Sequence, residues 1–337
     1  MTSTRNTESM AVPARSIGRD SCVGHHGEIL QGTFRIAGRL VRALVTLPTP
    51  EVVAEASVVL DHLRPDIVVS PSSRRKAAAA AELALRTLGV GGGCRVTLRS
   101  NAPAGIGVGT STCDVVATIR AVAAAAGRTL SALEVARLAV VAETASDSVM
   151  LPGAVTLFAH REGRVLEVLA AALPPLLIVG CHTGPAGGVD TLGLPPARYT
   201  DDEIARMNVM LGGLRHAARR SDAVLLGRIA TLSAQMNQRF LPVPQFAELC
   251  GIADAVGAVG VQVAHSGKVA GIMFDKRDPA ADKAAELCRR ELESIGISNS
   301  YQFVPEIPSM PSAAGFSTDW LRRTGVADLR HSQGVPV

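Results

Sequence analysis

The chain has 337 residues, of which 47% are hydrophobic and only 3% aromatic, and its formal net charge is +4. That length suits two ordinary domains, whose cores must be built from Ala, Val, Leu and Ile. The basic residues are scattered, with the densest group at Arg64, Arg74, Arg75 and Lys76 and no interleaved aromatics, which argues against a nucleic-acid partner. No uninterrupted apolar run is long enough to span a bilayer, which argues against a membrane partner. The six cysteines are widely spaced with no C-x-x-C pair. They read as reduced thiols of a cytoplasmic protein rather than as a metal site or a disulfide framework.

Residues 1–19 are polar, lack an apolar signal-type stretch and read as a disordered leader. Apolar runs at Arg39–Leu47 and Glu51–Leu60 read as strands broken at Pro48 and Pro50. Ser72 or Ser73 is expected to cap a helix over 74–88, ended by glycines. Cys94–Arg99 alternates as a strand does. A glycine-rich turn at 103–109 then leads into a helix from Thr110 to about Gly127, and a second helix is expected over 131–145. Val155–Phe158 and Arg164–Leu169 form an expected hairpin, and Leu176–Cys181 a buried strand. Helices are expected over 201–219, 221–236, 245–256 and 279–295, with strands at 259–264, 269–274 and 300–304. The pattern is α+β in both halves, with no regular βαβ repeat and a domain boundary near 175.

The strongest local signal is the glycine-rich turn, Pro103-Ala-Gly105-Ile-Gly107-Val-Gly109-Thr110-Ser111-Thr112. Alternating glycines let a backbone approach an anion closely, and the helix that follows adds unpaired N–H donors. Three hydroxyls in a row can cap that helix, bond a phosphate oxygen or contact Mg²⁺. A dinucleotide fingerprint would need a third glycine at Thr110, and a Walker A loop would need a Gly-Lys-Ser/Thr that does not follow here.

This stretch resembles the central P-x-x-x-G-L-G-S-S-A signature of the GHMP kinases. The resemblance implies that Pro103, Gly105, Gly107, Gly109, Thr110, Ser111 and Thr112 wrap the phosphates of ATP, with Ser111 a magnesium contact. Two further blocks follow the family order. Cys22-Val-Gly-His-His-Gly-Glu28-Ile-Leu-Gln31-Gly32 is similar to the C-x-x-x-x-G-E-x-x-Q-G of the L-threonine kinases, with His25 and His26 replacing small residues. Ala264-His265-Ser266-Gly267 resembles the third GHMP motif. By that resemblance Glu28, Gln31, His265, Ser266 and Gly267 contact the substrate.

Glu143 and Asp147 close the second helix. Phosphoryl transfer needs a carboxylate beside the attacking hydroxyl, to orient it or accept its proton, and Asp147 is assigned that role. Glu143, four residues earlier and on the same face if the helix continues, is assigned to Mg²⁺. Gly187-Gly-Val-Asp190-Thr191 resembles the G-G-x-V-D-T of threonine kinases, where Asp190 and Thr191 would hold the substrate ammonium group. Lys76 is a further candidate for the nucleotide phosphates.

The resemblance implies the two-domain GHMP kinase fold: a ribosomal-S5-like ATP-binding domain over 20–175, a ferredoxin-like domain over 176–305, and a poorly patterned tail over 306–337. The implied cofactors are ATP and Mg²⁺, and a homodimer is compatible with it. The implied reaction is phosphorylation of the L-threonine hydroxyl. The alternatives are another hydroxy amino acid or amino alcohol, or a non-catalytic ligand-binding regulator.

Overall fold

Two long strands set the frame. β1 (Ile17–Ile36) and β2 (Arg39–Asp61) form an antiparallel hairpin closed by Ala37 and Gly38. Both turn residues have positive φ, 47° and 76°, as a two-residue turn that follows the strand twist requires. The computed structural model describes residues 16–102, 107–183, 197–264 and 269–306. Along β2 the residues Val52, Ala54, Ala56, Val58 and Leu60 are buried, and those between them are half-exposed. This is the period-two pattern of a strand with one covered face.

Two expectations about this hairpin are corrected. Residues 17–19 are not part of a leader, because their main chain pairs with 57–59 of β2. Nor is β2 broken at Pro48 and Pro50. The register slips there, so that Val23 faces Val53 but Gly24 faces Thr49, and residues 50–52 have no β1 residue opposite. A proline without an N–H is tolerated in such a bulge. The Asn101 side chain ties the loose segment down, accepting from the Val53 N–H at 2.8 Å and donating to the Glu51 carbonyl at 2.9 Å.

The remaining elements of the first half pack on this hairpin. β3 (Ile67–Ser70), α1 (Arg75–Leu88) and β4 (Gly93–Ser100) form a crossover with β3 parallel to β4. The four-residue β3 has no counterpart in the sequence reading, since it is too short to show a period. Arg74, not Ser72 or Ser73, occupies the N-cap of α1, and no side chain caps that end. α2 (Thr110–Ala125) and α3 (Ala132–Glu143) follow. The start of α3 is fixed by a capping box between Ser131 and Glu134. A short 3₁₀ turn (Ser148–Met150) and the hairpin of β5 (Val155–Ala159) and β6 (Arg164–Ala170) complete the half. The core here is alanine- and valine-rich, as the scarcity of aromatics requires.

The second half contains β7 (Leu176–His182), α4 (Asp201–Arg220), α5 (Ala223–Asn237), α6 (Phe246–Ala255), β8 (Gly260–Val263), β9 (Val269–Asp275), α7 (Ala281–Ser294) and β10 (Tyr301–Phe303). All ten strands of the described residues join one sheet, with the path β10-β7-β9-β8-β1-β2-β4-β3 and with β5 and β6 branching from β2. Within the sheet, among the described residues, the halves pair at Glu28 of β1 opposite Val263 of β8, and α4 and α5 also pack on β1. Gly27 beside it has φ +86°, and a Cβ there would lie 2.6 Å from the Val263 carbonyl oxygen. Only glycine fits that approach. No helix among the described residues is long and apolar enough to cross a membrane.

A buried polar knot reinforces the seam. His26 is fully buried; its Nε2 lies 2.8 Å from the Tyr301 hydroxyl, and its Nδ1 is hydrogen-bonded by the Gln262 side-chain amide. Burial pushes the His26 pKa down to about 3, with His182 and His25 adding to the effect, and burial pushes His182 down to about 4. Both rings therefore stay neutral in the folded state, while the unfolded chain takes up protons below about pH 6.5. Stability from this source is complete above that pH and is lost as pH falls toward the folded pKa values. The denaturation midpoint of the wild type should thus fall more steeply between pH 6.5 and 4 than that of His26→Gln, which keeps hydrogen-bonding capacity without titrating. Parallel pH profiles for the two proteins would contradict this account.

Candidate active site

The site is assembled where the first turn of α2, the end of α3 and the bulged part of β1 meet. Gly107 and Gly109 both have left-handed backbones, with φ of 90° and 72°, and Gly109 is the N-cap of α2. No side chain caps this helix. Its first N–H groups are left to the turn, the arrangement that suits an anion. A Cβ on Gly109 would lie 2.1 Å from Cδ2 of His25, so the glycine is required by space as well as by φ.

The hydroxyls that follow the turn converge on one carboxylate. Ser111 Oγ donates to Glu143 Oε2 at 3.0 Å, and Thr112 Oγ1 donates to Oε1 at 2.8 Å. Lys76 Nζ stands 3.8 Å from Oε2, its side chain nearly half exposed. Burial raises the Glu143 pKa to about 7; the Thr112 hydrogen bond and the Lys76 charge pull it down, and the neighbouring Asp147 pushes it up. A carboxyl so balanced is sensitive to its partners. The helix does not carry the two acids on one face, as the sequence reading supposed. It ends at Glu143, and Thr144 turns the chain with φ +71°. Asp147 reaches the site through this turn instead, in extended conformation ahead of the 3₁₀ turn.

Asp147 faces the first sequence block. Its Oδ2 lies 2.9 Å from His25 Nε2, and His25 Nδ1 lies 3.7 Å from Glu28 Oε1. The Gly27 N–H donates to His25 Nδ1 at 3.1 Å. Glu28, His25 and Asp147 form the group of potential metal-ligating residues among those described, but the His25 ring nitrogens are already engaged, Nε2 by Asp147 and Nδ1 by the Gly27 N–H. Gln31, three residues beyond Glu28, has its main chain turned to α5. Its N–H donates to Ser233 Oγ at 3.1 Å, and its carbonyl accepts from Asn237 Nδ2 at 3.2 Å.

Of the residues named from sequence, Lys76, Gly107, Gly109, Thr110, Ser111, Thr112, Glu143, Asp147 and Glu28 thus lie on adjoining segments. Pro103, Gly105, Asp190, Thr191, His265, Ser266 and Gly267 fall outside the described residues. Sequence reasoning missed the roles of three residues, Arg74, Asp114 and His25. Arg74 Nη1 lies 2.9 Å from Asp114 Oδ2, which fixes the start of α1 against α2; burial raises the Asp114 pKa to about 6 and Arg74 opposes it. An acid inside an apolar helix was the available signal. His25 was read only as a departure from a pattern, yet it touches Gly109, Gly27 and Asp147 together.

The sequence matches the GHMP kinases N terminal domain over residues 75–154 and the GHMP kinases C terminal family over 214–293. The L-threonine kinase of Salmonella typhimurium is 30% identical over 59% of this chain and 66% of its own length. That of Citrobacter freundii is 29% identical over 54% of this chain and 62% of its length. The matched region thus spans a little under two thirds of both relatives. In structure, the chain is similar to homoserine kinase from Cytophaga hutchinsonii, with TM-score 0.64 and 17% identity over 90% of this chain and 98% of the other.

The electrostatics of Glu143 can be checked without any ligand. Since Lys76 lowers its pKa, Lys76→Met should raise the carboxyl pKa further above about 7, as read by carbon-13 NMR of the glutamate side chains. An unchanged titration would mean that the ammonium group is not felt at Glu143.

Proposed function

Since the chain belongs to the GHMP kinase family, we propose that it transfers the γ-phosphoryl group of ATP to the side-chain hydroxyl of L-threonine, giving O-phospho-L-threonine and ADP. The observation that carries this reading is the convergence of Ser111, Thr112 and Lys76 on buried Glu143, beside a left-handed glycine turn and with Asp147 adjoining. The threonine side of the reading is supported by the similarity to two L-threonine kinases and by the first sequence block.

The residues suit the ligands. The left-handed turn at Gly107–Gly109 and the uncapped start of α2 offer main-chain N–H groups to phosphate oxygens. Ser111, Thr112 and Glu143 offer hydroxyl and carboxylate oxygens, the hard donors that Mg²⁺ takes. When bound, the cation neutralises charge on the phosphates. Lys76 is placed to supply a further positive charge at the same end. In this reading Asp147 orients the acceptor hydroxyl and accepts its proton. In the transfer, the bond from the threonine oxygen to the γ-phosphorus forms, the bond from that phosphorus to the β,γ-bridging oxygen breaks, and ADP leaves with the electron pair. Positioning and charge neutralisation then supply most of the rate enhancement.

Two substitutions test the assignment. Ser111→Ala and Asp147→Ala should each lower kcat for threonine-dependent ADP release by about 100-fold or more, with the thermal midpoint preserved. Unchanged rates in both variants would remove the mechanism. Glu143→Gln should raise the Mg²⁺ concentration needed for half-maximal rate, because a neutral amide is the poorer ligand for a hard cation; an unaltered Mg²⁺ requirement would show that Glu143 is not a metal contact.

A further inference from the structure

We propose that His25 is a positioning residue that fixes the Asp147 carboxylate against the nucleotide turn. The inference rests on the reading of Asp147 as the carboxylate that faces the acceptor hydroxyl. Four observations carry it. The His25 main-chain N–H donates to the Val108 carbonyl at 3.4 Å, which binds β1 to the glycine turn. The ring lies against Gly109, where a Cβ would come within 2.1 Å of Cδ2 and 2.5 Å of Nε2. Nε2 lies 2.9 Å from Asp147 Oδ2. Finally, the Gly27 N–H donates to Nδ1 at 3.1 Å.

The last contact decides the chemistry of the third. A backbone N–H can only donate, so Nδ1 must be the acceptor, and the ring proton sits on Nε2. His25 therefore donates a hydrogen bond to Asp147. The donor is rigid because the ring is buried, with only 5% of the side chain exposed, and is held at both nitrogens. Asp147 itself stands on a short extended segment after a left-handed residue, with 17% of its side chain exposed, and a fixed donor sets which way that carboxylate points. The same ring packs on the turn assigned to the phosphates. One side chain thus sets the distance between the donor and acceptor ends of the transfer, where a misplacement of an ångström is costly.

The test combines ring spectra with kinetics. In long-range proton–nitrogen spectra, the His25 signal, assigned by its loss in His25→Gln, should show the Nε2–H tautomer and should shift in Asp147→Asn. His25→Ala should lower kcat for threonine-dependent ADP release by about 100-fold with little change in the ATP KM. His25→Gln, which keeps an N–H donor, should recover most of that loss. In the Asp147→Ala background, His25→Ala should add no further loss. An Nδ1–H tautomer, a ring signal indifferent to Asp147→Asn, or equal losses from His25→Ala with and without Asp147 would each overturn the proposal. If the threonine reading fails instead, the wild type releases no ADP with L-threonine while the tautomer and its response to Asp147→Asn still stand or fall by themselves.

Discussion

Among the described residues the two halves of the sheet meet at the register pair of Glu28 and Val263, and the site lies beside that seam. It brings the first sequence block beside the strand that leads into the third, although well over 200 residues separate them in the chain. The fit is close because Gly27 lets the Val263 carbonyl approach where any side chain would collide. Hydrogen bonding across so short a ladder is weak by itself. The seam is supported by the apolar core that β1 shares with α4 and α5, and by His26, which joins Gln262 of β8 and Tyr301 of β10 to β1. The register irregularities of β1 fall in this same stretch, between Val23 and Leu30. A strand that bulges here can turn His25 toward Asp147 and His26 toward the second half, although the two are adjacent in sequence.

Burial then shapes the chemistry. Glu143 is among the few buried acids, and it is kept in place by two hydroxyl donors and one ammonium group rather than by a close ion pair. Asp147, partly exposed and 2.9 Å from a histidine nitrogen, is the contrasting case. Burial is the main cause of the raised Glu143 pKa, and the charge of the neighbouring Asp147 adds a smaller push in the same direction.

Much of this was legible in the sequence. Local signals gave the helices from α2 to α7 within a few residues, because apolar periods and the glycines that end helices are short-range properties. Gly107, Gly109, Ser111, Glu143 and Asp147 were named in the sequence through their resemblance to a family pattern, and the structure brings them onto adjoining segments. What was not legible is what depends on partners distant in the chain. The continuity of β2 through Pro48 and Pro50 rests on a register slip against β1 and on Asn101 from beyond β4. The pairing of residues 17–19 depends on β2, and the Arg74–Asp114 ion pair on two helices docking. His25 carries no periodic signal, and its role is visible only once Gly109, Gly27 and Asp147 surround it.

The central claim is that this site phosphorylates a hydroxy amino acid, L-threonine foremost. The most direct measurement is mass spectrometry of the products formed by purified protein from ATP, Mg²⁺ and equal amounts of L-threonine, L-serine and L-homoserine. The account predicts O-phospho-L-threonine as the dominant product, with a matching amount of ADP. Phosphorylation of serine or homoserine alone would contradict the assignment of the acceptor, and ATP binding without any phosphorylated product would contradict the assignment of the site as catalytic.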